Sequence, residues 1–250
     1  MSTILITGCS SGFGLETAKL FLERGWDVIA TMRTPNADLL PASERLRILA
    51  LDVTDPASIA DAVGQAGEID VLVNNAGFGA PSPVELTDPA TTRSLFETNT
   101  IGTLSMVQAV LPQMRRRRAG VIINVTSTVT VKALPVIGLY RASKAAVDAF
   151  TESLALEVEP FGVRVRIVLP GRSPETRFGQ NARPHFRGMD DPDYGPMLQQ
   201  FIQAVQDDKG PVTHAPDVAA AVWRAATDAS APLRIPGGAD AEFWMAEASL

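Results

Sequence analysis

The sequence predicts a doubly wound α/β fold, in which one domain forms a parallel sheet with helices on both faces. Three observations indicate it. Short apolar runs alternate with helical patterns along the 250 residues, the first apolar run ends in a glycine cluster that opens a helix, and no repeat or low-complexity linker divides the chain. A chain of this length lies at the upper end for one domain and can bury a sizeable core.

The individual elements follow from local patterns. Strands are predicted where β-branched and other apolar residues run together, at 3–7, 27–32, 47–51, 71–74, 120–125, 163–169 and 233–235. Helices are predicted where apolar residues recur every three or four positions, at 12–24, 56–65, 89–98, 101–114, 140–159 and 217–229. Residues 172–210 break this rhythm with many Pro, Gly, Arg and aromatic residues, and we interpret them as a lid on the substrate side.

Composition and charge argue against several classes of function. The net charge of −6 argues against nucleic-acid binding, and no apolar run approaches the length of about 18 residues that indicates a membrane span. One cysteine and two histidines leave little material for a zinc site, so we expect no metal. The single cysteine also excludes an internal disulfide and suits the cytoplasm, where we expect the protein to lie.

A few residues could suggest other chemistry. Four consecutive arginines at 115–118 invite a nucleic-acid interpretation, but cations at a helix C-terminus favour its dipole and then lie in water, which is the explanation we prefer. Cys9 has no base beside it in sequence and is predicted to fill a small space. His214 is predicted to lie at the surface or cap a helix, whereas His185 lies in the lid, where contact with substrate is an alternative.

The glycine cluster after the first strand predicts a phosphate-binding turn. Gly8 lets the chain leave the strand, Gly12 allows a ligand to approach the backbone, and Gly14 allows the helix to pack tightly on the strand. The N-terminus of the helix then presents N–H groups and partial positive charge to a pyrophosphate. The other residues predicted to contact the cofactor in this turn are Ser10, Ser11 and Phe13. An ordinary glycine-rich loop is the alternative.

The strongest chemical signal is Tyr140 with Lys144, four residues apart on one face of a predicted helix. A free tyrosine has a pKa near ~10, and lowering that pKa by about three units needs roughly 4 kcal/mol. A cation about 4 Å away supplies a free energy on the order of 4 kcal/mol at an effective dielectric constant of ~20. Lys144 is therefore sufficient in principle to make Tyr140 a usable acid or base. A chance pair on an amphipathic helix is the alternative.

These motifs together resemble one known family. In chain order they are Thr7-Gly8-x-x-x-Gly12-x-Gly14, Asn74-Asn75-Ala76-Gly77, Asn99, Ser127, Tyr140-x-x-x-Lys144 and Pro170-Gly171. This order resembles the short-chain dehydrogenase/reductases, which have a doubly wound (Rossmann) sheet. The resemblance spans residues 3–171, and these motifs in order are far more specific than any one of them.

The resemblance implies a role for each catalytic position. Tyr140 looks like the general acid that protonates a carbonyl oxygen, or the base in the reverse direction. Ser127 would hydrogen-bond that oxygen, and Lys144 would hold the nicotinamide ribose and lower the pKa of Tyr140. Asn99 would hold a water that relays protons to Lys144. The chain is thus expected to interconvert a secondary alcohol and a ketone.

The resemblance also implies the cofactor contacts. The remaining positions expected to bind the dinucleotide are Asp52, Val53, Asn75, Ala76, Gly77, Pro170 and Gly171. Enzymes that use NAD place an acid after the second strand, where this chain has Met32 and then Arg33. A guanidinium binds a 2′-phosphate bidentately, so NADP(H) is favoured over NAD(H), with Ser11 as a second contact. The alternative is that Arg33 only covers the surface.

Other implications of the resemblance concern substrate and assembly. The first turn and the second strand look like the branch that contains hydroxysteroid and retinol dehydrogenases, but the lid residues suit either an apolar or an anionic small molecule. The family usually places a threonine five residues after the proline of Pro170-Gly171, whereas here Thr176 comes one residue late. We expect a homodimer or homotetramer. A dinucleotide-sensing regulator, or an epimerase or dehydratase on the same scaffold, are the alternatives.

Overall fold

The computed structural model describes residues 2–248, which form seven strands and nine α-helices. The strands are Thr3–Thr7 (β1), Asp27–Met32 (β2), Leu46–Ala50 (β3), Val71–Asn74 (β4), Gly120–Val125 (β5), Val163–Leu169 (β6) and Arg234–Pro236 (β7). The helices are Gly12–Glu23 (α1), Pro56–Ala66 (α2), Pro89–Phe96 (α3), Gly102–Arg117 (α4), Gly138–Val158 (α5), Phe178–Ala182 (α6), Tyr194–Asp207 (α7), Ala215–Thr227 (α8) and Ala239–Ala248 (α9).

The seven strands form one parallel sheet in the order β3-β2-β1-β4-β5-β6-β7. The chain therefore starts at the centre, builds outward to β3, and returns to build the other half from β4. The order reverses between β1 and β4, and crevices at such a point bind ligands at the carboxyl ends of the strands. The predicted doubly wound fold is confirmed.

The sheet is covered on both faces, as the alternation along β1 illustrates. Ile4 and Ile6 pack with α1 and α8, whereas Leu5 faces the opposite layer of α2, α4 and α5. All three side chains are fully buried. Burial on both faces explains why the central strands are near-continuous apolar runs, which made their bounds predictable from sequence.

Three helices that the sequence did not predict, α6, α7 and α9, lie in the last third of the chain. Helix α7 occupies part of the predicted lid and carries Pro196 in its first turn, where the missing N–H has no helical partner to lose. Helix α9 follows the last strand, and its apolar and polar residues are not segregated onto two faces, so it has no periodic signal. Strand β3 begins at Leu46, one residue before the predicted strand.

The arginines act mainly as structural groups. Arg117 forms ion pairs with Glu68 and Asp70 near the end of α4. Arg164 donates a hydrogen bond of 3.0 Å to the carbonyl of Ala226 in the last turn of α8.

Among residues 2–248, no helix has the length and apolarity needed to cross a bilayer, and no group of three or more His, Cys, Asp or Glu residues is placed to hold a metal ion.

Candidate active site

A cleft lies at the carboxyl ends of β1 and β4, where the strand order reverses. Its volume is about 790 Å³. The lining residues that the sequence predicted are Gly8, Ser10, Ser11, Gly12, Phe13, Arg33, Asp52, Val53, Asn75, Ala76, Gly77, Tyr140 and Lys144. The structure thus brings together positions spread over more than half of the chain.

The glycine turn has the shape that a dinucleotide requires. Gly8 and Gly12 have φ values of +77° and +58°, which favour glycine. A Cβ on Gly14 would lie 2.4 Å from the carbonyl oxygen of Gly8, so α1 can pack this closely only with glycine there. Ser11 precedes α1 without capping it through its side chain, so that the first N–H groups can meet a pyrophosphate. These residues fit the phosphate part of the cofactor.

A polar clasp joins the turn after β1 to the segment after β4. The Thr7 hydroxyl accepts hydrogen bonds from the backbone N–H groups of Asn75 and Ala76, each of 3.0 Å. The Asn75 amide in turn donates to the carbonyls of Thr7 and Gly8, at 2.9 and 3.1 Å. The two halves of the cofactor cleft are therefore fixed to each other. The Thr7 hydroxyl holds the segment after β4 in place, a role that the sequence did not predict.

Tyr140 lies in the first turn of α5 and reaches the cleft wall while remaining only 8% exposed. Its hydroxyl forms a hydrogen bond with the Ser127 side chain. Burial raises the pKa of Tyr140 to about 12, and the hydrogen bond with Ser127 opposes this rise only in part. The sequence predicted a pKa lowered by Lys144, whereas the pKa in the structure is raised, because the phenol is removed from water.

Lys144 lies one turn further along α5 and is also buried. Its ammonium group donates a 2.9 Å hydrogen bond to the carbonyl of Val125, at the end of β5. Burial lowers the pKa of Lys144 from 10.5 to about 8, while the charge of Asp148 opposes the fall. The lysine thus remains mostly protonated at pH 7.

Asn99 lies beneath the cleft and is fully buried. It belongs to a π-helical turn, Glu97–Ile101, between α3 and α4, and such turns are frequent at functional sites. Its amide donates to the Phe78 carbonyl and the Ser143 hydroxyl, and its side-chain oxygen accepts from the Phe78 N–H at 3.0 Å. The side chain holds the segment after Gly77 in place, and the predicted water relay stays a prediction.

Arg33 and Asp52 form the end of the cleft expected to receive the adenosine. Arg33 is exposed and follows β2 directly. Asp52 accepts hydrogen bonds from the N–H and hydroxyl of Thr54, which together lower its pKa, and the charge of Arg33 contributes to the same effect. The guanidinium thus lies at this end of the cleft, close enough to Asp52 for its charge to act on the carboxylate.

Part of the segment predicted to form a lid, including the short helix α6, lines the cleft. The Thr176 side chain lies 3.6 Å from the point where a Cβ on Gly12 would be. The Phe178 ring packs against Tyr140 with 5.5 Å between ring centroids, and His185 stacks on Phe78 at 5.0 Å. Thr176 thus reaches the cleft although it comes one residue late in sequence.

Pro170 and Gly171 lie behind the cleft wall in a buried polar cluster. Gly171 donates to the Thr213 hydroxyl at 2.9 Å, and that hydroxyl donates to Asp240 at 2.6 Å. The second carboxylate oxygen of Asp240 accepts from the Arg172 N–H at 2.6 Å. The cofactor contact predicted for Pro170 and Gly171 stays a prediction. Asp240 was not predicted, because it lies on α9, far away in sequence.

The predictions about three other reactive side chains can be compared with the structure directly. Cys9 is fully buried, and burial raises its pKa to about 12, which agrees with a side chain that fills space. His214 precedes α8, and its N–H donates to Asp217 at 2.9 Å, which agrees with a capping position. His185 lines the cleft, as its position in the lid allowed.

A family model described as short chain dehydrogenase matches residues 2–185. The chain therefore belongs to the short-chain dehydrogenase/reductase family. A 3-ketodihydrosphingosine reductase from Bacteroides thetaiotaomicron is 36% identical over 239 residues, which cover 94% of this chain and 87% of that protein. Retinol dehydrogenase 8 from Bos taurus is 39% identical over 183 residues, covering 68% of this chain and 58% of that protein.

Solved structures give the same result. A short-chain dehydrogenase from Streptomyces avermitilis has a TM-score of 0.84 and 32% identity, with 99% of this chain and 92% of that one covered. A short chain dehydrogenase from Burkholderia cenocepacia in complex with NADP has a TM-score of 0.78 and 29% identity, covering 98% and 91%. A 3-ketoacyl-(acyl-carrier-protein) reductase from Brucella melitensis, complexed with NADH, has a TM-score of 0.77 and 27% identity, covering 94% and 97%. These similarities support an oxidoreductase that uses a nicotinamide dinucleotide.

Proposed function

We propose that the protein is an NADP(H)-dependent oxidoreductase that interconverts a secondary alcohol and a ketone. The observation that carries this proposal is the Tyr140 hydroxyl, hydrogen-bonded to Ser127 on the wall of the cleft and one helical turn from the Lys144 ammonium. A phenol, a hydroxyl and a cation that converge in one pocket suit proton transfer to a carbonyl oxygen.

Each residue has a separate part in reduction. The glycine turn and Asn75-Ala76-Gly77 would hold the dinucleotide, which when bound would supply the hydride for the carbonyl carbon. Tyr140 donates its proton to the carbonyl oxygen, and its raised pKa keeps that proton in place at neutral pH. Ser127 donates a hydrogen bond to the same oxygen and stabilises its developing charge. Lys144 then stabilises the tyrosinate until it regains a proton from solvent, which balances the proton consumed in the reaction.

The proposed preference for NADP(H) depends on charge at one end of the cleft. Arg33 follows β2 where enzymes specific for NAD carry an acid, and it can bind a 2′-phosphate bidentately. A charge-assisted hydrogen bond is worth about 1.5–3 kcal/mol, so Arg33→Ala should weaken NADPH binding by roughly tenfold to a hundredfold and leave NADH binding nearly unchanged.

Fluorescence titration with NADPH and NADH measures this preference in both proteins. Arg45→Ala is the control, since Arg45 is an exposed arginine that donates to the Gly25 carbonyl outside the cleft. Equal affinity for the two cofactors in the wild type would contradict the proposal.

The substrate proposed is a small ketone or alcohol with an apolar body. Phe78, Phe178 and His185 present rings to the cleft beside Tyr140, and Val129 with Leu95 forms an apolar cluster around that tyrosine. The similarity to a ketodihydrosphingosine reductase and a retinol dehydrogenase favours the same class of substrate.

A panel of ketones tests the substrate class by the rate of NADPH oxidation. We expect kcat/KM to rise with the apolar surface of the ketone and Phe178→Ala to remove most of that dependence, because its ring lies against Tyr140. Phe243→Ala is the matched control, since Phe243 is exposed on α9. Higher kcat/KM for anionic than for apolar ketones would contradict this part of the proposal.

We also propose that the chain forms a homodimer or homotetramer through α5. This helix is long and rich in alanine, like the face through which members of the family associate, and Leu156 on it is 75% exposed. Light scattering during gel filtration measures the mass directly, and a monomer at micromolar concentration would contradict the proposal.

A further inference from the structure

Asp148 lies in the interior of the protein on the same face of α5 as the two reactive side chains. Tyr140, Lys144 and Asp148 follow one another at intervals of four residues, so each lies one turn beyond the last. Asp148 is only 4% exposed. Carboxylates are almost never buried to this extent without a partner, and the proposed reaction does not itself use this residue.

A cation from the edge of the sheet fixes the Asp148 carboxylate. Arg234 on β7 lies 3.2 Å from it and also contacts Glu152, one turn further along α5, at 2.6 Å. Burial raises the pKa of Asp148, whereas the hydroxyls of Thr130 and Thr126, the Arg234 charge and the Lys144 charge all lower it. Burial is the largest of these effects, so the pKa of Asp148 lies above its usual value, and the hydroxyls and the two cations oppose that rise.

A nearby anion would stabilise the charge of the Lys144 ammonium group. It donates to the Val125 carbonyl, a neutral acceptor, while burial favours loss of its proton. The charge of Asp148 acts in the opposite direction and keeps the proton on. The charged or titratable groups around the pair are Tyr140 and Glu152 on α5 and Arg234 on β7.

We infer that Asp148 is a positioning residue that keeps Lys144 protonated at neutral pH, with Arg234 holding its carboxylate in place. The inference rests on the function proposed for Lys144. It links the active site to the far edge of the sheet: β7 contributes no residue to the cleft lining, yet Arg234 on it stabilises the charge on which the tyrosinate depends.

The test reads the ionisation of Lys144 itself. The chain has four lysines, so protein labelled with ¹³C-lysine gives four Cε resonances, and Lys144→Met identifies the one of interest. Side chains four residues apart on a helix are neighbours, with Cβ atoms about 5–6 Å apart, and an opposite charge at such a range raises a lysine pKa by about one unit. Asp148→Asn should therefore move the titration midpoint of Lys144 down by about one pH unit, and Asp148→Glu should restore it.

The matched control is Glu152→Gln, which removes the other carboxylate bound to Arg234 but leaves Asp148 in place. Since the Glu152 side chain is 48% exposed, its loss should move the midpoint by less than about 0.3 of a unit. If Asp148→Asn does not fold, Asp148→Ser takes its place, and the Lys144 midpoint should again fall by about one pH unit. An unchanged Lys144 midpoint in a folded variant without the Asp148 charge overturns the inference.

Activity gives a second readout. In Asp148→Asn the decline of kcat/KM for ketone reduction at alkaline pH should begin about one unit lower than in the wild type. If the proposed function failed, no ketone would be reduced by either protein, whereas the lysine titration would still report on Asp148. The two failures are therefore distinguishable.

Discussion

At the scale of single residues, the floor of the cleft holds Tyr140 and Lys144 where burial opposes the charge of each. Burial raises the pKa of Tyr140 to about 12 and lowers that of Lys144 to about 8. The tyrosine therefore keeps its proton until the reaction needs it. The lysine keeps its charge at pH 7 at the expense of folding free energy.

That cost predicts that the protein becomes more stable when the lysine is removed. The fall in the pKa of Lys144 from 10.5 to about 8 corresponds to about 3 kcal/mol at 1.36 kcal/mol per unit. Lys144→Met should thus raise the free energy of unfolding at pH 7 by about 1–3 kcal/mol, measured by urea denaturation. The lower end of this range allows for Asp148, whose carboxylate loses the stabilising charge of Lys144 in the variant.

The pH dependence follows from the sign of the shift. Between pH 8 and pH 10.5 the unfolded chain binds more protons at Lys144 than the folded protein, so the stability contributed by this residue in the wild type rises with pH. The advantage of Lys144→Met should therefore shrink over that range. Lys19→Met at the surface is the control, and lower stability of Lys144→Met at pH 7 would contradict the account.

The sequence could predict which of these residues meet but not the direction of the tyrosine shift. Four-residue spacing on a helix places Tyr140 and Lys144 on one face whatever surrounds them. The desolvation of the phenol depends on residues from elsewhere in the chain, such as Phe178 in the lid, whose contact with Tyr140 has no sequence signal. The same holds for Arg234 and Asp148, which are 86 residues apart.

At the scale of elements, the packing of α1 on β1 depends on one glycine. A Cβ on Gly14 would lie 2.4 Å from the Gly8 carbonyl oxygen and 2.6 Å from the Asn75 amide nitrogen. To make room for a Cβ, the glycine turn or the Asn75 side chain would have to shift, and either shift would change the shape of the cofactor cleft. Close approach, rather than conformational freedom, is therefore what this position requires.

The matched pair Gly14→Ala and Gly64→Ala tests this difference. Gly14→Ala should cost about 1–3 kcal/mol of stability and weaken dinucleotide binding at least tenfold, because the clash displaces the turn. Gly64 lies in α2 with open space around it, so Gly64→Ala should gain about 0.5–1 kcal/mol and leave binding unchanged. Thermal denaturation and NADPH titration measure both, and equal effects of the two substitutions would contradict the argument.

Elements were predictable where local chemistry decides them. Strand β1 and the start of α2 at Pro56 were predicted, and the structure confirms both. The strand is a buried apolar run, and Asp55 caps the helix through its side chain. Helix α7 has an apolar face but was hidden by its early proline, and α9 is fixed by tertiary contacts of Asp240 rather than by periodicity. Tertiary context decided the elements that the sequence missed.

At the scale of the whole molecule, the strand order explains why distant motifs form one site. The turns after β1 and β4 are neighbours, and β5 lies next to β4, so residues 8–14, 75–77 and 127 converge beside the N-terminal turn of α5. The sequence predicted this convergence because the order of motifs resembles a known family. It could not predict which lid residues close the cleft, because 172–210 have no regular pattern.

The most direct measurement of the central claim compares NADPH oxidation by the wild type and Tyr140→Phe with a ketone that the wild type reduces. The substitution keeps the ring that packs on Phe178 and removes only the hydroxyl bonded to Ser127. A general acid contributes about 10²–10⁴-fold, so we expect kcat to fall by that factor while NADPH affinity stays within about tenfold. Turnover that survives unchanged in Tyr140→Phe would contradict the account.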